Sequence, residues 1–171
     1  RAPLPICEAY FAAAAEIDYR AMILVDLELD WDRFTTTDAH YFPEEHIRST
    51  RISEPKNYFG LSTPSGRTVL CAELPCSPSD PIWEKSDAEL GAIVTDDLRR
   101  ARLPLLRDPI GVYTRRLRHA YPIYTLGYEH PLNRLQDWVE TLPGFLSYGR
   151  QGLFAHDNTH HALFMAYRAA D

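Results

Sequence analysis

The sequence predicts an α+β fold: a mixed or largely antiparallel sheet with three to four helices. Three observations predict it. Residues Tyr19–Leu29 read as a strand, with Met22-Ile23-Leu24-Val25 continuously apolar and Leu27 and Leu29 alternating with Asp26 and Glu28. After a short N-terminal helix, strand-like segments come first and helices mixed with strands follow, which is not the order of a regular βαβ array. Ser86-Asp87-Ala88-Glu89 forms a capping box ahead of Leu90, Ile93, Val94, Leu98 and Ala101 at helical spacing.

Taken in order, Pro5 suits a first helical turn, and Ala9, Ala12, Ala13 and Ala14 carry that helix to about Ile17. After the Tyr19–Leu29 strand, Asp30-Trp31-Asp32-Arg33 turns the chain. Phe34 to Phe42 reads as a second strand stopped by Pro43, and Ile47 to Ser53 as a third beyond a Glu44-Glu45-His46 loop. Glu54-Pro55-Lys56-Asn57 and Thr63-Pro64-Ser65-Gly66 carry turn chemistry. Arg67 to Leu74 is a buried strand, followed by a proline-rich loop from Pro75 to Pro81. In the capped helix, Asp96, Asp97, Arg99 and Arg100 take the face opposite the core. Ile110 to Arg118 is an arginine-bearing strand, and Ala120 to Tyr128 an aromatic loop. Pro131 seeds a helix whose Leu132, Leu135, Trp138, Val139 and Leu142 face inward until Pro143-Gly144 stops it.

The 171 residues suffice for a sizeable core. A net charge of −6 argues against general affinity for nucleic acid or anionic membrane, and no apolar run reaches the ~20 residues of a membrane span. Arginine outnumbers lysine, so an anionic small molecule remains open as a ligand. Cys7, Cys71 and Cys76 lack metal-ligand spacing and read as buried thiols of a reducing, cytoplasmic compartment.

Chemistry concentrates in the last quarter. The apolar run Phe145-Leu146-Ser147-Tyr148 reads as a strand leading into Gly149-Arg150-Gln151-Gly152, and a polar cap precedes a helix from about Ala162. That order delivers backbone N–H groups and a helix N-terminus to one spot, suited to an anionic or carbonyl-bearing ligand. His156 and His160, four apart with Asp157 beside the first, echo a zinc-hydrolase helix; Asn158-Thr159 reads better as a helix cap, and no metal is expected. Tyr121-Pro122-Ile123-Tyr124 lines a pocket or forms an aromatic cluster at the edge of the core. Arg115, Arg116 and Arg118 meet an anion or lie on a solvated strand face.

Three blocks in this order, Arg51-Ile52-Ser53-Glu54-Pro55-Lys56-Asn57, Ala120-Tyr121-Pro122-Ile123-Tyr124 and Gly149-Arg150-Gln151-Gly152-Leu153-Phe154 with the Asp157-Asn158 helix start, resemble one family. It is the FAD-dependent oxidoreductases of the amine oxidase and protoporphyrinogen oxidase type, near UDP-galactopyranose mutase. The resemblance implies that residues 1–120 are a substrate-binding domain portion and that 121–171 return to complete an FAD-binding domain. It places Gly149, Arg150, Gly152, Asn158, Thr159 and His160 at the flavin edge, and Tyr121 and Tyr124 towards a small polar organic substrate. Catalytic acid and base residues stay unassigned. Where the family has Asn-Met-Asp-His, this chain has Asn158-Thr159-His160-His161, and no G-x-G-x-x-G fingerprint is present. The resemblance therefore implies a portion of an FAD enzyme, silent by itself and prone to self-association. The alternative is a stand-alone, non-catalytic module that binds a ligand or a protein.

Overall fold

A computed structural model describes residues 8–58 and 64–170. The predicted helical turn at Pro5, Cys7, and Thr63 lie outside them. The described residues form two compact units, one of residues 21–118 and one of 8–20 with 119–170.

The sheet is built around the strand legible in the sequence. Asp18–Leu29 (β1) runs antiparallel to Thr68–Cys76 (β4), from Ala21 opposite Cys76 to Leu29 opposite Thr68. Arg51–Ser53 (β3) pairs antiparallel with β4, and Ala39–Tyr41 (β2) with β3. Gly111–Ile123 (β5) lies beyond β1, giving the order β2-β3-β4-β1-β5. Alternation puts Val25, Leu27, Leu29, Leu70, Ala72 and Leu74 on one face, all buried. The helix Asp87–Arg100 covers that face with Leu90, Val94 and Leu98, and Ile82 and Trp83 complete the cluster. Fully burying a side chain of this size contributes about 1.5–3 kcal/mol, so these three helix positions anchor the layer. Gly91 faces β5, and a Cβ there would stand 2.9 Å from both methyls of Val112.

The described residues hold six helices: Glu8–Ala15 (α1), Pro55–Tyr58 (α2), Asp87–Arg100 (α3), Glu129–Glu140 (α4), Gly149–Gly152 (α5) and Thr159–Ala170 (α6). Four of them have eight residues or more, and the additional two, α2 and α5, are single turns begun by Pro55 and Gly149. The capping box of α3 is formed, with the Ser86 hydroxyl and the Glu89 carboxylate bonding each other's backbone N–H. The Ser86 backbone donor, with Lys85 beside it, holds the Glu89 carboxyl down to about 2. At the other end, Arg102 adopts φ 61° while Arg102 N donates to Arg99 O and Leu103 N to Leu98 O. That is a Schellman stop with arginine in glycine's place.

Several elements depart from their sequence expectation, each for a local reason. Phe34–Phe42 and Ile47–Ser53 shorten to three-residue strands because side-chain carboxylates take their backbone donors. Glu54 accepts from Phe34 N at 2.8 Å and Thr35 N at 3.0 Å. Asp97 accepts from Arg48 N at 3.1 Å, Ser49 N at 2.8 Å and the Ser49 hydroxyl at 2.7 Å. Asp97 therefore sits buried at 3% exposure, not on the solvent face of α3. Pro75 continues β4 instead of opening a loop, since β3 ends opposite Cys71–Glu73 and leaves that stretch flanked on one side only. Ala120–Ile123 likewise extend β5, the last strand in the sheet order, so only the part from Tyr124 is loop. Phe145–Tyr148 is not a strand; no ladder partner runs beside it among the described residues.

Asp97→Ala leaves three donors in a buried site without their acceptor. A loss of about 3 kcal/mol is expected, because hydrogen bonds to a buried charge are worth roughly 1.5–3 kcal/mol each and partial rehydration recovers some of it. Urea unfolding of wild type and variant, compared at their midpoints, measures it.

Candidate functional site

The predicted site residues fall in the unit made of residues 8–20 and 119–170. Its base is aromatic. Tyr10 of α1 stacks on Trp138 of α4 at 5.0 Å, and Tyr19 meets His119 and Phe154 edge-on, each at 5.1 Å. Phe154 is buried at 3% and adopts φ 50°, a left-handed conformation that a bulky residue takes only under constraint.

Two residues supply that constraint. The Tyr124 hydroxyl donates to Phe154 O at 3.1 Å and accepts from His156 N at 3.1 Å, closing the corner 154–156 from outside. The His156 Nε2 lies 2.9 Å from Pro122 O. A carbonyl oxygen only accepts, so Nε2 carries the proton. The His156 ring lies against Tyr121 at 5.4 Å and Tyr124 at 5.1 Å. Arg150 places its guanidinium 4.8 Å from the centroid of Tyr121 and donates to Asp157 O. Tyr121, Tyr124, Arg150, His156 and Asp157 thus form one connected group between the end of β5, α5 and the start of α6.

The glycines act differently from one another. Gly149 adopts φ 81° in open space, so it is required by backbone conformation and not by close approach. A Cβ at Gly152 would stand 2.8 Å from Ser147 Oγ, whose hydroxyl donates to Gly152 O at 2.9 Å. At the start of α6, Asn158 O accepts from His161 N and Ala162 N. The first-turn N–H groups of Thr159 and His160 have no carbonyl within the helix to reach, and Asn158, Thr159 and His160 are all exposed. Asp157 Oδ2 is buried without a partner. The His160 ring lies tilted against that of His161, centroids 4.0 Å apart, so the two histidines of the zinc-like spacing are engaged separately, His156 by Pro122 and His160 by its neighbour. Among the described residues no cluster of three or more His, Cys, Asp or Glu side chains has metal-binding geometry.

A cleft of about 380 Å³ lies in the same unit, with Leu132 and Val139 of α4 on one wall and Phe145, Leu153 and Phe154 on the other. Leu163, Phe164 and Tyr167 of α6 are 55%, 65% and 73% exposed. In the other unit, Arg116 is bound to Trp83 O and Lys85 O, and Arg118 lies over the Trp83 ring. Of the arginine trio, Arg116 is half-buried, and Arg115 and Arg118 are exposed. Cys71 and Cys76 form no disulfide, and burial, with Asp26 beside it, raises the Cys71 thiol to about 12. It is therefore no nucleophile at neutral pH. The role of His156 was not legible in the sequence, because it depends on a carbonyl 34 residues away.

No family model matches the chain, and no curated protein matches it. Solved structures do match. The reduced form of a UDP-galactopyranose mutase shares 21% identity over 94% of this chain and 34% of its own, with a TM-score of 0.76. A protein from Exiguobacterium sp. 255-15 named as a protoporphyrinogen oxidase shares 20% over 97% of this chain and 36% of its own, TM-score 0.68. A putrescine oxidase redesigned in its cofactor binding shares 17% over 97% and 37%, TM-score 0.65. The fold is therefore that of part of the FAD-dependent amine oxidase-like enzymes, and the chain spans about a third of the length of the structures it matches. Within the described residues, no helix is long and apolar enough to cross a membrane.

Tyr124→Phe removes the hydroxyl that holds both Phe154 O and His156 N. It is expected to cost about 1–2 kcal/mol and to speed exchange of the His156 amide at least tenfold, with α3 unaffected. Hydrogen-exchange mass spectrometry on the two proteins reads both effects.

Proposed function

We propose that this chain supplies the substrate-binding portion, residues 1–120, and the flavin-edge return segment, residues 121–171, of an FAD-dependent oxidoreductase of the amine oxidase-like kind. The observation that carries the reading is the fold match over 94% of the chain to an enzyme of that fold, with a TM-score of 0.76. The local chemistry agrees with it. Arg150 and the unpaired N–H groups of Thr159 and His160 at the start of α6 offer positive potential to an electron-rich carbonyl edge. Gly149 sets the turn that aims Arg150, and Gly152 keeps α5 tight against Ser147.

The residues present fit only one part of the cofactor. A flavin, when bound, supplies the hydride or adduct chemistry. Its pyrophosphate needs a glycine fingerprint at a helix start, which this sequence lacks. The chain therefore holds the isoalloxazine edge and not the whole cofactor, and by itself it is catalytically silent. Tyr121 lines the substrate side as a ring already oriented by Arg150. Tyr124 borders the same side with its hydroxyl committed to the backbone. The substrate class is a small polar organic molecule. The exposed Leu163, Phe164 and Tyr167 are the face through which the chain meets the rest of such an enzyme, or through which isolated copies associate.

The test compares the 171-residue chain with a longer protein read from the same frame. The longer protein is expected to purify with a visible flavin spectrum that bleaches with dithionite, and the 171-residue chain to purify colourless. A longer protein that folds without flavin would overturn the reading in favour of a binding module.

A further inference from the structure

We propose that His156 is a ligand-binding residue whose Nδ1 accepts a hydrogen bond from a cyclic imide N–H, with Arg150 donating to the adjacent imide carbonyl. The inference rests on the reading that this unit meets a flavin, and it adds a residue and a recognition pattern to that reading.

Three observations carry it. The Nε2–H of His156 is committed to Pro122 O at 2.9 Å, so in the neutral ring the remaining lone pair is on Nδ1. The imidazole cannot swing away without cost, because its backbone N–H is held by the Tyr124 hydroxyl and its ring lies against both Tyr121 and Tyr124. Histidines positioned to use one nitrogen commonly have the other fixed by a carbonyl in this manner. Arg150 lies against the same Tyr121 ring and is tied to Asp157 O, the carbonyl next in the chain after His156. One of its guanidinium nitrogens is used there, and it has further N–H donors to offer.

An acceptor and a donor each fixed against the same Tyr121 ring suit a planar ligand ring that carries N–H and C=O side by side. The pyrimidine edge of a flavin has that pattern, and so has the uracil of a uridine nucleotide. The charged and titratable groups around the imidazole are Tyr121 from the end of β5, Tyr124 from the loop after it, Arg150 from α5 and Asp157 from its own segment.

The experiment is a titration of the 171-residue chain, with ¹⁵N-labelled histidine, with riboflavin and separately with uridine. The N3-methylated form of each serves as the probe without the imide donor. The expected result is an Nε2–H tautomer in the free chain and a shift of the His156 Nδ1 resonance with at least one parent probe. N3-methylation and His156→Phe should each weaken that probe's binding about five- to tenfold, the worth of one ordinary hydrogen bond. Binding of uridine but not riboflavin, with those losses, would support the inference and count against the flavin reading. Binding of riboflavin that ignores both N3-methylation and His156→Phe would overturn the inference and leave the flavin reading standing. No His156 shift with either probe, or rapid averaging between tautomers in the free chain, would also overturn it.

Discussion

Much of the larger unit hangs on the carboxylate of Glu54. It is buried at 2% exposure and accepts from Phe34 N, Thr35 N, the Thr68 hydroxyl and the Asn57 amide, with distances of 2.7 to 3.1 Å. An ionised carboxylate out of water is costly unless its lone pairs are filled, and here they are filled from three separate segments. Lys56, two residues on and also buried, does the complementary work by donating to Asp32 O, Asp32 Oδ1, Pro64 O and Arg67 O. Its ammonium and the Gly66 backbone N–H hold the Asp32 carboxyl below its usual range. Breaking either side of such an arrangement leaves buried groups without partners, so the loops have little freedom to rearrange independently. The first of the three blocks that resemble the flavin enzymes thus has a structural task in this chain: it binds the loops that precede and follow it to the sheet.

The smaller unit solves a similar problem with rings instead of charges. Its helices bury little, and α6 buries no residue fully. What holds the corner at Phe154 in a left-handed conformation is a set of aromatic contacts and the Tyr124 hydroxyl, which serves two backbone groups at once. The strain of such a corner, about 1–3 kcal/mol, is offset by the burial of Phe154. The geometry that results presents Arg150 and His156 on a common tyrosine.

Elements set by local pattern were legible in the sequence. The β1 alternation, the capping box of α3 and the core spacing of Leu90, Val94 and Leu98 needed no tertiary information. Two of the failures share a cause. Phe34–Phe42 and Ile47–Ser53 have strand composition, yet Glu54 and Asp97 intercept their backbone donors from 20 and 49 residues away. Asp97 itself was placed outside because charge usually faces water, and only its partners explain why it does not. At the candidate site, the glycines stood out by spacing, and Arg150 followed only from the family resemblance. His156 acquired its role from Pro122 and Tyr124, which no spacing rule connects to it.

We propose that the segment from Gly149 to His160 is where this fold meets a flavin. Hydrogen exchange on the longer protein, with FAD bound and after its removal, tests it most directly. Protection by the cofactor should appear at Arg150 and through residues 156–160, while β4 and α3 change little. Protection confined to other segments, with residues 149–160 exchanging at the same rate in both forms, would contradict the account.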